Sequence, residues 1–229
     1  MRILAVGAHP DDIEIFMFGT LAAFSARGAT LHFAIATDGA LGGRGDRAEL
    51  SRTRKAEAGR AAALLSADFE FLDFPDGGLS ADAELIGVLK AHIGRIGPDL
   101  VLTHWRDDYH GDHRALSEAV RIASSFAAPV LYADTIGGVG FAPTHYVDIS
   151  SHFPLKLDAI RAHVSQDPER FVQRLTVHNG FRAMQCNAPA GSYAEAWRFE
   201  PIYPFADIRD LLPPAPPVRP VGDRSRPPS

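Results

Sequence analysis

The stretch RILAVGAHPDD, residues 2–12, decides the fold of this chain. Residues 3–6 form an uninterrupted apolar run, which is typical of a strand buried on both faces of a parallel sheet. Proline then keeps the chain extended after His9, and Asp11 and Asp12 stand where a helix would begin. A buried strand that passes into a helix through a polar turn predicts the first unit of an α/β domain.

The rest of the chain repeats this alternation of short apolar runs and longer segments with helical periodicity. Strands are predicted at Arg2–Gly7, Leu31–Thr37, Phe69–Phe74, Leu100–His104, Val130–Ala133 and Tyr146–Ile149. Helices are predicted at Asp12–Arg27, Arg47–Leu65, Ala81–Ile96, Asp112–Ala127, Pro154–Val164 and Pro168–Ala183. This order predicts an α/β fold of the Rossmann-like, doubly wound type, with a mainly parallel sheet and helices on both faces.

The domain organisation follows from a change of composition near the end of the chain. Residues 1–212 are predicted to form a single Rossmann-like domain, in which the part from about residue 150 completes the site. Residues 213–229 contain seven prolines in seventeen residues and little that could be buried. We therefore expect them to form a Pro-rich disordered tail.

Composition and charge exclude several classes of protein. The 229 residues carry a formal net charge of −5 and no run of five or more basic residues, so nothing favours a nucleic-acid partner. The single cysteine, Cys186, rules out an internal disulfide and a zinc site built on cysteines. Without a secretory signal pattern, or an apolar stretch of the roughly 18 residues that a membrane span needs, the chain is predicted to be cytoplasmic with no membrane span.

Two polar clusters stand at predicted strand ends about a hundred residues apart. His9, Asp11 and Asp12 follow the first strand, and the His110-Gly-Asp-His113 segment follows the strand near residue 100. Because ligands of such sheets bind at the carboxyl ends of the strands, we expect the two clusters to meet. A catalytic zinc commonly takes three His and Asp or Glu ligands and leaves a position for water, and His9, Asp12 and His113 would supply that set.

The remaining polar residues of the clusters suit proton transfer. Asp11 would act as the general base that takes a proton from water. His110 would stabilise an oxyanion or protonate a leaving nitrogen, and Asp112 would orient it. The competing interpretation is structural, because Asp11 or Asp12, and likewise Asp112, could serve only as N-caps of helices.

These motifs resemble those of a known family. Ala8-His9-Pro10-Asp11-Asp12 and His110-Gly111-Asp112-His113 are similar to the two signature motifs of the PIG-L/LmbE-like family of zinc-dependent N-deacetylases. Four further segments also resemble that family: Thr37-Asp38-Gly39, Arg54 with Glu57, Lys156 to Gln166, and Tyr193-Ala194-Glu195-Ala196. The resemblance covers roughly residues 1 to 205. Gly111 is a departure, since the family usually has proline there.

The resemblance implies a zinc-dependent hydrolase that removes an N-acyl group, in the first place N-acetyl, from a sugar-like or small polar substrate. By this resemblance, the ligands of Zn2+, or of another divalent metal such as Fe2+, would be His9, Asp12 and His113, and Asp11 would be the general base. His110, with Asp112 behind it, would stabilise the oxyanion. Arg54 would contact a substrate hydroxyl, and Tyr193 would contact the reacting carbonyl. It also implies a homo-oligomer, a trimer or hexamer.

Two other classes of function are open at this point. The first is a non-haem Fe(II) oxygenase, because His9-x-Asp11 with His113 also forms a triad of two histidines and one carboxylate. That reading makes Asp11 the ligand, and the alternation of strands and helices argues against it. The second is a catalytically silent Rossmann-like binding module. The absence of a G-x-G-x-x-G after the first strand disfavours dinucleotide binding by such a module.

Overall fold

The computed structural model describes residues 1–219, and a mixed seven-stranded sheet forms its centre. The strands are β1 (Arg2–Gly7), β2 (Thr30–Thr37), β3 (Asp68–Phe74), β4 (Leu100–Thr103), β5 (Val130–Ala133), β6 (His145–Asp148) and β7 (Ala194–Phe199). Their order across the sheet is β3-β2-β1-β4-β5-β7-β6. Strands β1 to β5 pair in parallel, whereas β7 is antiparallel to both β5 and β6.

Helices cover both faces of the sheet. They are α1 (Asp12–Phe16), α2 (Phe18–Ser25), α3 (Arg47–Ala63), α4 (Ala83–Ile96), α5 (Gly111–Ala123), α6 (Phe153–Arg161) and α7 (Pro168–Gln185). Alternate residues of β1 enter different cores: Ile3 and Ala5 pack with α1, α2, α3, α6 and α7, while Leu4 and Val6 pack with α4 and α5. The predicted α/β class, with a mainly parallel sheet between helical layers, is confirmed.

One buried contact explains two features that the sequence pattern did not predict. The expected helix over residues 12–27 is broken at Met17, and β7 lies in a segment that was predicted to have no strand. At the break, the Glu195 carboxylate of β7 accepts hydrogen bonds from the backbone N–H groups of Gly19 and Thr20, at 2.9 and 2.8 Å. The first N–H groups of a helix have no partner within it, so an acidic side chain stabilises the new helix start.

The same carboxylate also forms a buried ion pair. Lys156 of α6 donates to Glu195 over 2.6 Å, and the two residues are only 1% and 2% exposed. Residues 194–199 do not have the apolar pattern of a buried strand, because they include Glu195. A glutamate is tolerated in the core only with a partner such as Lys156, which is distant in sequence.

Residues 213–219, which begin the predicted tail, contain neither helix nor strand. The backbone N–H of Asp148 donates to the carbonyl of Pro214 over 2.9 Å. The remainder of the predicted tail lies outside the described residues. None of the helices within residues 1–219 is long and apolar enough to cross a membrane.

The buried ion pair allows a stability prediction. Lys156→Met should lower the free energy of unfolding by about 3–5 kcal/mol, because Glu195 would keep a buried charge without a partner. Denaturant titration measures this change. Replacing Glu195 by Gln in the Lys156→Met background should restore part of the loss, since the uncompensated charge is then removed.

A surface pair provides the control. Arg121→Met breaks an exposed pair with Glu118 and should cost less than about 1 kcal/mol. Equal losses for Lys156→Met and Arg121→Met would contradict the assignment of Lys156 as a buried counter-ion.

Candidate metal centre and active site

The two polar clusters meet at the carboxyl ends of β1 and β4. These strands pair in parallel, from Ile3 opposite Leu100 to Ala5 opposite Leu102, so the segments that follow them emerge side by side. A cavity of about 380 Å³ lies at this edge of the sheet. Six of the eight predicted site residues line it: His9, Asp11, Asp12, Arg54, His110 and His113.

Asp12 is the centre of the imidazole cluster. Its Oδ2 accepts a hydrogen bond from the backbone N–H of His9 at 2.7 Å and lies 3.2 Å from Nδ1 of the same residue. Its Oδ1 lies 3.3 Å from Nε2 of His113. Burial alone would raise the pKa of Asp12, but the charges of the surrounding imidazoles hold it well below the ordinary value. Asp12 is therefore an ionised carboxylate between two ring nitrogens.

Asp11 has a different environment, although it is the neighbour of Asp12 in sequence. Its backbone φ is +122°, a value that residues other than glycine rarely adopt. Its side chain makes no capping hydrogen bond to a helix. Its Oδ1 instead accepts a hydrogen bond from Nη2 of Arg54 at 3.1 Å. Burial raises the pKa of Asp11 to about 6, and the Arg54 guanidinium opposes that rise. Asp11 therefore occupies the N-cap position of α1, but its side chain does not cap that helix.

Arg54 is held in place by backbone on both sides. Its Nη2 donates to the carbonyl of Pro10 at 2.6 Å, and its Nη1 donates to the carbonyl of Gly39 at 3.0 Å. A side chain at Gly42 would clash with this guanidinium, because a Cβ built there lies 2.1 Å from Nη1. Glycines in this loop are thus required for the approach of the arginine, and both Nη groups of the guanidinium are bonded to protein acceptors, while Nε is buried without one.

His9 faces carboxylates with both ring nitrogens. Its Nε2 lies 3.2 Å from Oδ1 of Asp76 and 3.2 Å from Oδ2 of Asp112, while its Nδ1 faces Asp12. Burial alone would lower the pKa of His9, but the carboxylates of Asp12 and Asp76 raise it to about 11. A metal ion that binds here must displace a proton, and Nδ1, beside Asp12, is the nitrogen that the outer carboxylates leave for it.

His113 has the same kind of support on its outer side. Its Nδ1 lies 3.2 Å from Oδ1 of Asp108, so Nε2 points to Asp12. Its ring stacks on that of His104, with the centroids 3.8 Å apart. Burial opposes protonation, but Asp12 and Asp108 raise the pKa of His113 to about 9. The ring orientation of His113 is thus fixed by a carboxylate and by stacking.

His110 is oriented by the backbone instead. It is the N-cap of α5, and its Nδ1 accepts a hydrogen bond from the backbone N–H of Asp112 at 3.2 Å. Burial and the charges of His113 and His9 lower the pKa of His110, which favours the neutral ring. With Nδ1 acting as an acceptor, the proton of the neutral ring is on Nε2. His110 can therefore donate a hydrogen bond from Nε2. Because that nitrogen carries the proton, it cannot bind a metal in this tautomer.

His104 is a third histidine close to Asp12. Its Nε2 lies 3.2 Å from Oδ2 of Asp12, but the same atom accepts a hydrogen bond from the backbone N–H of Ala8 at 3.1 Å. The ring is 1% exposed and does not line the cavity. His104 is therefore already engaged, and its contact with His113 positions that ring.

The donor set fits a divalent metal. Within residues 1–219, three overlapping groups bring three ligand atoms within 4.8 Å of one another: His9, His110 and His113; Asp12, His104 and His113; and His9, Asp76 and Asp112. The predicted set of His9, Asp12 and His113 shares two members with each of the first two groups. Asp12 belongs to one of the three groups, whereas Asp11, the carboxylate of the oxygenase alternative, belongs to none of them.

Two predicted residues lie elsewhere than expected. The Asp112 carboxylate contacts His9, and it accepts from the backbone N–H groups of Gly77 and Leu79, so it does not orient the ring of His110. Tyr193 does not line the cavity, and its ring stacks on Phe153 with the centroids 3.7 Å apart.

Sequence reasoning missed two carboxylates, Asp76 and Asp108. Asp76 lies in a Pro-Asp-Gly turn directly after β3, at the same edge of the sheet as the two clusters. Asp108 stands two residues before His110. Their positions after strand ends are a signal, but a lone aspartate in a turn is more often a structural residue.

Comparison with known proteins finds relatives that align with most of this chain. The chain is 31% identical to a diacetylchitobiose deacetylase of Thermococcus kodakarensis, over 90% of this chain and 88% of that protein. It is 29% identical to a probable N-acetyl-alpha-D-glucosaminyl L-malate deacetylase 2 of Bacillus anthracis, over 72% and 81% of the two chains. A third relative, 27% identical over 79% and 80%, is a 4-oxalmesaconate hydratase of Pseudomonas putida.

Among solved structures, the N,N'-diacetylchitobiose deacetylase of Pyrococcus horikoshii superposes with a TM-score of 0.80 and covers 92% of this chain and 88% of that chain. At 24% identity this likeness supports the fold. The family model of GlcNAc-PI de-N-acetylases matches residues 4–124, which include both polar clusters. On this match, and on the relative that is 31% identical, the chain belongs to the PIG-L family.

Proposed function

We propose that this protein is a metal-dependent amide hydrolase that removes an N-acetyl group from a sugar-like substrate. The observation that carries the proposal is the separation of two adjacent carboxylates. Asp12 lies between two imidazoles, whereas Arg54 holds Asp11 outside that cluster but on the wall of the same cavity. A metal-dependent hydrolase can use one carboxylate as a metal ligand and a second one as the general base. The deacetylase relatives support the same reaction class.

We assign His9, Asp12 and His113 as the metal ligands. Two neutral imidazoles and one carboxylate suit Zn2+, which is the metal we propose, with Fe2+ as the alternative. When bound, such a metal lowers the pKa of water and polarises a carbonyl. Asp76, Asp108 and Asp112 contact the outer sides of the two imidazoles, and carboxylates in that position orient ring nitrogens and raise their basicity.

Asp11 and His110 would then move the protons of the reaction. Asp11 is ionised above a pH of about 6 and would accept a proton from the attacking water. His110 would donate a hydrogen bond from Nε2 to the carbonyl oxygen as it gains charge. Arg54, which was predicted to contact a substrate hydroxyl, has its guanidinium bonded to Asp11 and to backbone carbonyls, and we assign it to positioning Asp11.

Several finer assignments stay predictions. They include the role of Tyr193 at the reacting carbonyl, the cytoplasmic location, and assembly as a trimer or hexamer. The single domain over residues 1–212 and the disordered tail are likewise predictions.

A hydratase is the second candidate function, because one relative is a 4-oxalmesaconate hydratase. Both reactions would use a metal site and a general base. They differ in the product, since only amide hydrolysis releases an amine. The substrate therefore decides between them.

The reaction class can be tested directly. Protein loaded with Zn2+ should release a primary amine and acetate from N,N'-diacetylchitobiose or N-acetylglucosamine, and a chelator should abolish this activity. Asp11→Asn should retain the metal and lower the rate by about 10²- to 10⁴-fold, which is the usual contribution of a general base. Unchanged turnover in Asp11→Asn would refute its role, and hydration of 4-oxalmesaconate without amine release would favour the second candidate.

The ligand set can be tested by metal analysis of four single variants. His9→Ala and His113→Ala should lose bound zinc, whereas His104→Ala and His110→Ala should retain most of it, because Nε2 of His104 is engaged and His110 has the donor tautomer. Elemental analysis after dialysis measures the zinc content, with circular dichroism as the control for folding. Loss of zinc from His110→Ala but not from His9→Ala would require a different ligand set.

The pairing of Asp11 with Arg54 predicts a pH effect. If Asp11 must be ionised to act, kcat/KM rises with pH through the pKa of Asp11. Arg54 lowers that pKa, so Arg54→Gln should raise it and move the acidic limb of the pH profile to higher pH. Arg52→Gln, an exposed change on the same helix, is the matched control and should leave the limb in place. A shift to lower pH in Arg54→Gln would contradict the assignment.

A further inference from the structure

Arg170 is a cavity residue that the proposed chemistry does not use. It lies in the first turn of α7 and lines the catalytic cavity together with Phe171 and Gln166. Its guanidinium carbon lies over the ring of Phe171, 4.6 Å from the centroid. Arg170 is exposed, so it stands at the rim of the cavity, where Tyr109, 64% exposed, is also found.

The guanidinium of Arg170 has no acceptor in the described part of the chain. Across residues 1–219 it makes neither an ion pair nor a side-chain hydrogen bond, although the neighbouring Glu169 is paired with Arg161 at 2.8 Å. The other arginine that lines the cavity, Arg54, has donors bound to Asp11 and to two carbonyls. Stacking on Phe171 uses the face of the Arg170 guanidinium and leaves the N–H groups along its edge for a ligand.

The charges of the cavity are arranged in two zones. In the interior, the carboxylates of Asp11, Asp12 and Asp76 face Arg54, His113 and His9, so these charged groups already have partners. The rim carries the cation of Arg170. A substrate with one anionic substituent would therefore enter with that group at Arg170, which leaves its neutral N-acetyl group directed toward Asp12 and His113.

We propose that Arg170 binds a carboxylate or phosphate substituent of the N-acetyl substrate, and so selects anionic N-acetyl sugars over neutral ones; this inference rests on the proposed function. The planar fork of a guanidinium matches the two oxygens of either group and forms two parallel hydrogen bonds. Stacking on Phe171 restricts the side chain before the ligand binds, so less conformational entropy is lost on binding.

The experiment compares three matched substrates that differ in charge. They are N-acetylglucosamine, its 1-phosphate, and N-acetylmuramic acid, which adds a carboxylate. Zinc-loaded wild type should have a higher kcat/KM for at least one of the charged sugars than for N-acetylglucosamine. Arg170→Gln should lower that preference by about 10- to 100-fold, mainly through the KM of the charged substrate, which corresponds to the loss of a charge-assisted hydrogen bond. The two charged sugars distinguish a phosphate from a carboxylate site.

Arg174→Gln is the matched control. Arg174 lies one turn further along α7, carries the same charge and lines a neighbouring groove rather than the catalytic cavity. The Arg174→Gln substitution should leave the preference for the charged sugar unchanged. Arg170→Lys keeps the charge but loses the planar, two-pronged donor of the guanidinium. It should therefore retain only part of the preference for the charged sugar.

Calorimetric binding of the same three sugars to zinc-loaded Asp11→Asn protein separates failure of this inference from failure of the proposed function. Absence of turnover on all three sugars would count against the deacetylase, while binding of a charged sugar that is weakened by Arg170→Gln would still support the anion site. Equal affinities for charged and neutral sugars, or equal losses in Arg170→Gln and Arg174→Gln, would overturn it.

Discussion

The candidate site exists because β1 and β4 are parallel neighbours in one sheet. Their pairing, Ile3 to Leu100 and onward, brings the residues that follow each strand to the same edge, although about a hundred residues separate them in sequence. His9 and Asp12 come from one strand end, and His110 and His113 from the other. Any change of strand order would separate the imidazoles and remove the cluster around Asp12. The register of two short apolar strands thus sets the geometry of the charged groups.

A second set of contacts fixes the layer around the cavity, and it joins segments that the resemblance to the PIG-L family had singled out separately. Lys156 pairs with Glu195, and Glu195 satisfies the start of α2. Glu57 of α3 accepts from both the backbone N–H and the hydroxyl of Ser165, at 2.9 and 2.6 Å. These buried polar residues have a structural role in the described part of the chain. They hold α6 and the turn before α7, and hence Gln166 and Arg170, against the catalytic cavity.

Much of the fold could be predicted because apolar periodicity reports burial directly. The first five strands of the parallel sheet, β1 to β5, agree with their predicted ranges to within one residue at each end. The pattern failed where burial depends on a partner distant in sequence. Residues 194–199 contain a glutamate that only Lys156 makes compatible with the core, and the break at Met17 occurs where that glutamate offers an alternative acceptor. Neither effect is visible in a local window.

The site divides in the same way. The sequence by itself determined the chemical types: two clusters of imidazoles and carboxylates at strand ends, with no cysteine in either cluster and no dinucleotide motif, favour metal binding and proton transfer. The tertiary structure alone decided which carboxylate has which environment. Arg54 separates Asp11 from Asp12, Asp112 supports His9 rather than His110, and Asp108 supports His113. The physical reason is that residue type fixes what a group can donate, accept or bind, whereas its pKa, tautomer and partner depend on neighbours brought by other strands and helices.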